Sequence, residues 1–416
     1  MYNYNTFIYQ IKEATYNFGF RISSSLGKVE TKFVTSCIYG IIKSGSILLT
    51  EIGRALKEPI KIIDTVDRLS KNLANIYKHL DTIWSNHHKL INSKIKPGII
   101  GAIDFSDVVK PQGKKFEDLC RVADGSDEHK TKPGYWVAEA AVLINNRVVS
   151  LYSHIFSTVS KGFKSINTEM FNILDKVFKS FGNAITIVMD RGFDDQKYLK
   201  YFTEKFWGFI VRVSHEDRIV ECNGVKTKLY KLADNFKGKY SATINIKGKQ
   251  HRIKCSFAKI NVCGVKQELT VVFVYFNKNT SMFITNTEVL GKSTCLRIVY
   301  SYYMRWRIEE YFKYKKSSFG LEKFMVRDLK RINSLNTLLS MALCAIELMT
   351  RHKNKLVTFA LKEARSVKKI VYFEYYRLAY GIKEILGHSV VGITNFLALA
   401  NSNIVQLQLF DNFAET

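Results

Sequence analysis

The chain reads as an α/β protein: a sheet-based core that carries a β-rich insertion, flanked by helical regions. Three observations predict this. Apolar runs of strand length recur between residues 98 and 213. Short β-branched and aromatic runs, separated by Gly and Asn, fill 214–286. The two ends of the chain show helical spacing. At 416 residues, two or three domains are expected, and the 46% apolar fraction can fill their cores. Lys and Arg number 63 against 37 Asp and Glu, a net charge of +26. That balance implies a polyanionic partner, DNA or RNA rather than a membrane surface.

Taken in order, residues 1–95 read as helical. Ser44 to Thr50 leads into Glu51–Leu56, then Lys57-Glu58-Pro59, then Asp64–Leu73. Two short amphipathic helices around a Pro-bearing turn fit a helix-turn-helix, which would bring Lys61, Arg68 and Lys71 to a nucleic acid. They fit an ordinary helical hairpin equally well. Residues 96–213 read as a compact α/β unit. A strand runs from Gly98 into Asp104. Tyr135–Ile144 and Arg147–Phe156 form a hairpin across Asn145-Asn146, since Asn tolerates the positive φ of a tight turn. Ile166–Phe181 is a helix with Met170, Ile173, Leu174 and Val177 on one face. A strand from Ala184 ends at Asp190, a helix covers about 194–206, and Phe209–Val213 is a further strand. Three antiparallel strands, then helix, strand, helix and strand, is the element order of a ribonuclease-H-like core. Residues 287–325 return to that core with a helix over Tyr302–Lys316. Residues 326–416 are helical again and suit dimerisation or nucleic-acid contact.

Three acidic residues stand out. Asp104 and Asp190 each end an apolar run, and Glu309 lies in the Tyr302–Lys316 helix. A buried strand delivers its last side chain to the sheet edge, where open α/β sheets hold ligands. Mg²⁺ prefers oxygen ligands and keeps waters and phosphates in its shell. Two such ions, about 4 Å apart, stabilise both oxygens of an in-line displacement. In so basic a chain, the three carboxylates suggest two-metal phosphoryl chemistry on a nucleic acid. At about 100° per residue, Arg305, Trp306, Glu309, Lys313 and Lys316 share a stripe with Tyr302. Met304, Ile308, Tyr311, Phe312 and Phe319 take the other side. The stripe reads as a metal and phosphate face, or as a solvated face of Arg305–Glu309 and Glu309–Lys313 pairs. Asp107, Asp194, Asp195 and Glu310 follow closely on the three acids, so a neighbour could be the ligand instead.

Tyr302, Arg305, Glu309 and Lys316 match Tyr-x2-Arg-x3-Glu-x6-Lys. That pattern resembles the YREK signature of bacterial insertion-sequence DDE transposases in the insertion-sequence-four group. Asp190-Arg191-Gly192-Phe193 resembles the segment around that family's second aspartate, and Gly101–Asp104 the segment around its first. A β insertion between the second Asp and the Glu is also the family's arrangement. The resemblance covers nearly the whole chain. It implies a cut-and-paste DNA transposase with Asp104, Asp190 and Glu309 as a triad holding two Mg²⁺ or Mn²⁺ ions. It implies DNA phosphates on Tyr302, Arg305 and Lys316, with Arg191 and Lys313 as further candidates. A flipped base would stack on Trp306 or Trp207. Transposon ends and target DNA would be the partners of a homodimer, with a DNA-binding domain in 1–95. Alternatives are a metal-dependent nuclease of the same fold, or a transposase-derived DNA binder without chemistry.

No signal peptide is expected from the N-terminus, nor any transmembrane helix, since no long uncharged apolar run is apparent. The seven cysteines are odd in number and lack CxxC spacing, as in a reduced, cytosolic chain. A cytoplasmic, nucleoid-associated protein is expected, with no membrane partner and no small-molecule substrate.

Overall fold

The computed structural model describes residues 4–124, 127–144, 147–246, 248–276, 279–350, 355–364 and 374–393. Five helices open the chain: α1 (Tyr4–Ile22), α2 (Lys28–Ser44), α3 (Leu49–Leu56), α4 (Ile62–Ile76) and α5 (Leu80–Ile91). Their apolar stripes meet in one core, with Ile11, Ile38, Ile52, Leu69 and Ile83 fully buried. Gly45 ends α2 in the left-handed region at φ 62°, and its N–H bonds the Ile41 carbonyl. The α3–α4 pair is the expected two-helix unit. Lys61 and Lys71 on it are exposed, while Arg68 pairs with Glu58.

The core then adds β1 (Ile99–Val109), β2 (Cys120–Asp124), β3 (Asp127–Ile144), β4 (Arg147–Phe156), α6 (Ile166–Phe181), β5 (Ile185–Met189), α7 (Gln196–Glu204) and β6 (Phe209–Arg212). β1 pairs antiparallel with β3, and β3 with β4, whereas β1–β5 and β5–β6 are parallel. The Asn145-Asn146 turn lies outside the described residues. Its flanking strands are paired from Ile144 and Arg147 onward.

Next come β7 (Ile219–Cys222), β8 (Val225–Lys228), α8 (Leu229–Asn235), β9 (Tyr240–Ile246), β10 (Lys249–Val262), β11 (Leu269–Phe276) and β12 (Asn279–Thr285). These strands do not form a sheet apart. β12 pairs antiparallel with β6, so one sheet runs β2-β3-β1-β5-β6-β12-β11-β10-β7-β8, with β4 on β3 and β9 on β10. After β8 the chain turns helical at Leu229, because Leu229, Leu232 and Ala233 bury one helical face.

The chain closes with α9 (Lys292–Tyr303), α10 (Trp306–Phe319), α11 (Leu329–Met349), α12 (Lys355–Glu363) and α13 (Tyr375–Gly387). α11 is long and apolar enough to cross a membrane by length and composition alone. Its apolar window is wholly buried inside the protein, as befits a central core helix. Leu335, Leu338, Leu339, Leu343 and Ile346 form one apolar stripe, and α11 is buried nearly all round.

Two expectations are corrected here. Asp104 does not end its strand: it is the sixth residue of β1, which continues to Val109 along β3. The parallel pairing with β5 does stop at Ala102, so Asp104 still lies just past the parallel edge. The single helix over Tyr302–Lys316 is two helices, broken at Met304-Arg305. The Met304 N–H bonds Tyr300 and the Ile308 N–H bonds Arg305, so the backbone stays satisfied through the turn.

Candidate active site

Each acidic side chain is aimed by its own element. In β1, Ile103 faces the core at 0% exposure, so pleating sends Asp104 to the opposite face. Its Oδ1 accepts the Phe105 N–H at 2.9 Å. Asp190 is the first residue after β5. Its Oδ1 caps the short turn Arg191–Phe193 by accepting the Gly192 N–H at 2.8 Å. Glu309 lies in the first turn of α10, where a helix N-terminus favours negative charge.

Arg305 joins two of the three. Its Nη1 donates to Asp104 Oδ2 at 3.0 Å, and its Nη2 donates to Glu309 Oε1. Burial, then the neighbouring Asp190 charge, pushes the Asp104 carboxyl up to about 7; Glu309 adds to the rise and Arg305 opposes it. Asp104 thus feels the charges of both Asp190 and Glu309, and a carboxyl shifted by burial and by specific charged neighbours is a functional-site candidate.

The donors are oxygens, as a hard divalent cation requires. Among the described residues, however, no three His, Cys, Asp or Glu side chains are gathered closely enough to hold a metal ion. The Arg305 guanidinium sits between Asp104 and Glu309 and meets the negative charge a cation would meet.

Three of the four competing carboxylates have other partners. Asp194 is buried, pairs with Arg218 at 2.6 Å, and accepts the Ser214 and His215 N–H groups. It pins the chain leaving β6. Asp195 caps α7 by accepting the Lys197 N–H. Asp107 pairs with Lys316 at 3.1 Å.

The cationic and aromatic candidates divide. Arg191 and Lys313 are exposed. Lys316 is engaged by Asp107 and by Glu322 at 3.6 Å. Tyr302 belongs to α9 and is 7% exposed, its ring stacked on Phe283 at 4.2 Å. Trp306 is half-buried, with the Arg307 guanidinium 4.8 Å from its ring. Trp207, expected to receive a base, is fully buried and donates its indole N–H to the Ile185 carbonyl at 2.6 Å. No face of it is left for stacking; it is a core residue.

Sequence reasoning missed a second ionic centre beneath this one. Lys315 and Glu139 are both completely buried and meet at 2.9 Å. Two signals pointed there: Lys315 falls on the apolar side of α10, and Glu139 interrupts Val137-Ala138-Glu139-Ala140-Ala141.

Comparison with known proteins extends this picture. A family model described as "Transposase DDE domain" matches residues 96–345. No curated protein matches. Among solved structures, the chain is similar to a piggyBac transposase in a synaptic complex with hairpin DNA: 11% identity, TM-score 0.43, 98% of this chain and 86% of that one. It is also matched to a Drosophila P element transposase in a strand transfer complex: 13% identity, TM-score 0.15, 80% of this chain and 81% of that one. The matched stretch spans β1 through most of α11, which takes in all three acids and more than half of the protein: the chain belongs to the transposase DDE domain family.

Proposed function

We propose that this chain is a cut-and-paste DNA transposase of the YREK-signature, insertion-sequence-four group. Its catalytic carboxylates are Asp104, Asp190 and Glu309, on a ribonuclease-H-like core. The observation that carries the reading is Arg305: one guanidinium reaches both Asp104 and Glu309, so residues 205 positions apart meet at one point. The strand order β4-β3-β1-β5-β6, with β5 and β6 parallel to β1, supports the core assignment. So does the family membership.

In this reading, Asp104, Asp190 and Glu309 would draw together to hold two Mg²⁺ or Mn²⁺ ions, which would supply an activated water and neutralise charge on the phosphate. Asp104 and Asp190 approach from neighbouring parallel strands, Glu309 from the helix above. Arg305 leaves the carboxylates and takes a phosphate beside the cleaved bond, since guanidinium matches phosphate as well as carboxylate. Lys316, Arg191 and Lys313 hold further backbone phosphates, while Tyr302 packs on Phe283 behind Arg305. Trp306 is the remaining stacking candidate for a displaced base. Cleavage leaves a 3′-OH at the element end, and that hydroxyl attacks target DNA.

Residues 1–95 would bind the terminal inverted repeats, 214–286 would be an insertion in the two-part core (96–213 and 287–325), and 326–416 would serve dimerisation or DNA contact. Two ends must be held together, so a homodimer on DNA follows. The protein would act in the bacterial cytoplasm, at the nucleoid.

The deciding experiment uses a labelled duplex carrying the DNA that borders this gene, with Mg²⁺. Wild type should cut at the repeat boundary and join the product to a second duplex. Glu309→Ala should bind the same duplex and cut nothing. Cutting by the variant at the wild-type rate would reject Glu309 as a catalytic residue.

A further inference from the structure

The buried ion pair under the acidic cluster has an arrangement that stability alone does not explain. Lys315 and Glu139 are each 0% exposed. Lys315 Nζ lies at 2.9 Å from Glu139 Oε2, 2.9 Å from Asn336 Oδ1, 3.0 Å from Ser340 Oγ and 3.2 Å from Ser153 Oγ. The second Glu139 oxygen accepts the Ser150 hydroxyl. Asn336 in turn donates to Ser153 at 2.8 Å. Taking two charges out of water is costly, and apolar replacements of similar volume often stabilise such sites. What such a network provides, where it provides anything beyond packing, is a unique register.

Here register matters. Glu139 stands directly opposite Asp104 on the β1–β3 ladder. Lys315 lies six residues beyond Glu309 on α10, about 9 Å along the axis. The pair therefore references the glutamate helix to the very rung that carries Asp104. Among the described residues, Lys316–Asp107 ties α10 to β1, as does Arg305–Asp104 from just before the helix, and both pairs are partly open to solvent. Those are the ties a phosphate or a cation would compete for. Lys315–Glu139 is out of reach of either and stays in place when they exchange.

We propose that Lys315 and Glu139 are positioning residues: their buried pair fixes the axial register of the glutamate helix, and so the placement of Glu309 against Asp104. The inference rests on the reading of Asp104, Asp190 and Glu309 as a cation site.

The test is Mn²⁺ binding to the full chain, read as loss of the free-ion electron paramagnetic resonance signal, with thermal melting alongside. The central variant is Lys315→Met with Glu139→Leu, which removes both charges and keeps the volume. Its melting temperature should fall less than that of Glu139→Ala, by no more than the bonds lost at Ser150, Asn336 and Ser340 contribute. Its Mn²⁺ affinity should fall about tenfold, the scale of losing support behind a metal ligand. In a Glu309→Ala background the same pair of changes should cost nothing further, because its effect passes through Glu309. Wild-type affinity in the central variant overturns the proposal, and so does an undiminished loss in the Glu309→Ala background. Should the central variant not fold, Asn336→Ala decides. It strips one bond from Lys315 and one from Ser153 while the charges stay paired; weaker Mn²⁺ binding is expected, and unchanged binding overturns the proposal. Asp190→Ala and Glu309→Ala alone test the underlying reading. If both bind Mn²⁺ as wild type does, the cation site itself falls and the inference with it.

Discussion

Helix α10 carries two ionic centres built from the same chemistry and put to opposite uses. At its N-terminal end, Arg305 bridges Asp104 and Glu309, with Glu309 45% exposed. Two turns on, Lys315 meets Glu139 with no exposure at all. The first centre stands in water's reach, where ion pairs are weak and exchangeable. The second is sealed, so neither charge can be left alone. The helix thus offers a site where partners change hands next to one where they cannot.

The contrast can be broken at the sealed end. Glu139→Ala leaves a buried ammonium unpaired and should destabilise the fold by about 3–5 kcal/mol. Urea unfolding would measure it; a change under 1 kcal/mol would mean water reaches Lys315.

Acid sharpens the same contrast elsewhere. His87 and His88 on α5 bond the Ser150 and Leu151 carbonyls of β4. Burial holds the His87 ring down to about 3, and His88 and His154 down to about 4, from an ordinary 6.5. Between those values the unfolded chain binds more protons than the folded one. Stability is therefore full above about pH 6.5 and drains as pH falls toward 4, by about 1.4 kcal/mol per pH unit for each histidine. Melting followed from pH 7.5 to 4.5 should show the slope, and His88→Gln should flatten it.

Trp207→Phe is the next smaller effect. It orphans the Ile185 carbonyl and should cost about 1–3 kcal/mol. DNA affinity should not move, since the ring is core; a large affinity loss would return Trp207 to the interface.

At the open end, Glu309→Ala should change stability by less than about 1 kcal/mol, because its pair with Arg305 is half exposed. Cleavage should nonetheless vanish. A large stability loss would erase the distinction between the two centres.

What the sequence disclosed follows the same line between local and distant causes. The Asp190 turn was legible because an apolar run ending in Asp-Arg-Gly has few local solutions. The full length of β1 was not, because Phe105-Ser106-Asp107 looks like a strand's end until β3 pairs with it. The break at Met304-Arg305 has no Pro or Gly to announce it. Trp207 misled as an aromatic that looked available, and Lys315 went unread although it lies on the apolar side of its helix. Burial set by other elements decided both. Asp194 was separated from Asp190 by bonds to Ser214, His215 and Arg218, all twenty or more residues away.

The sheet has one more property. The chain leaves the core after β6 and returns as β12, hydrogen-bonded to the strand it left. Exit and re-entry are adjacent, so the excursion between them spans no gap whatever its size. Closing a flexible excursion costs only about 0.6 kcal/mol per doubling of its length. The strands between are held instead by packing: Ile253 and Cys255 of β10 and Val272 and Val274 of β11 share an apolar cluster with Cys295, Ile298 and Val299 of α9, the helix that leads to Arg305.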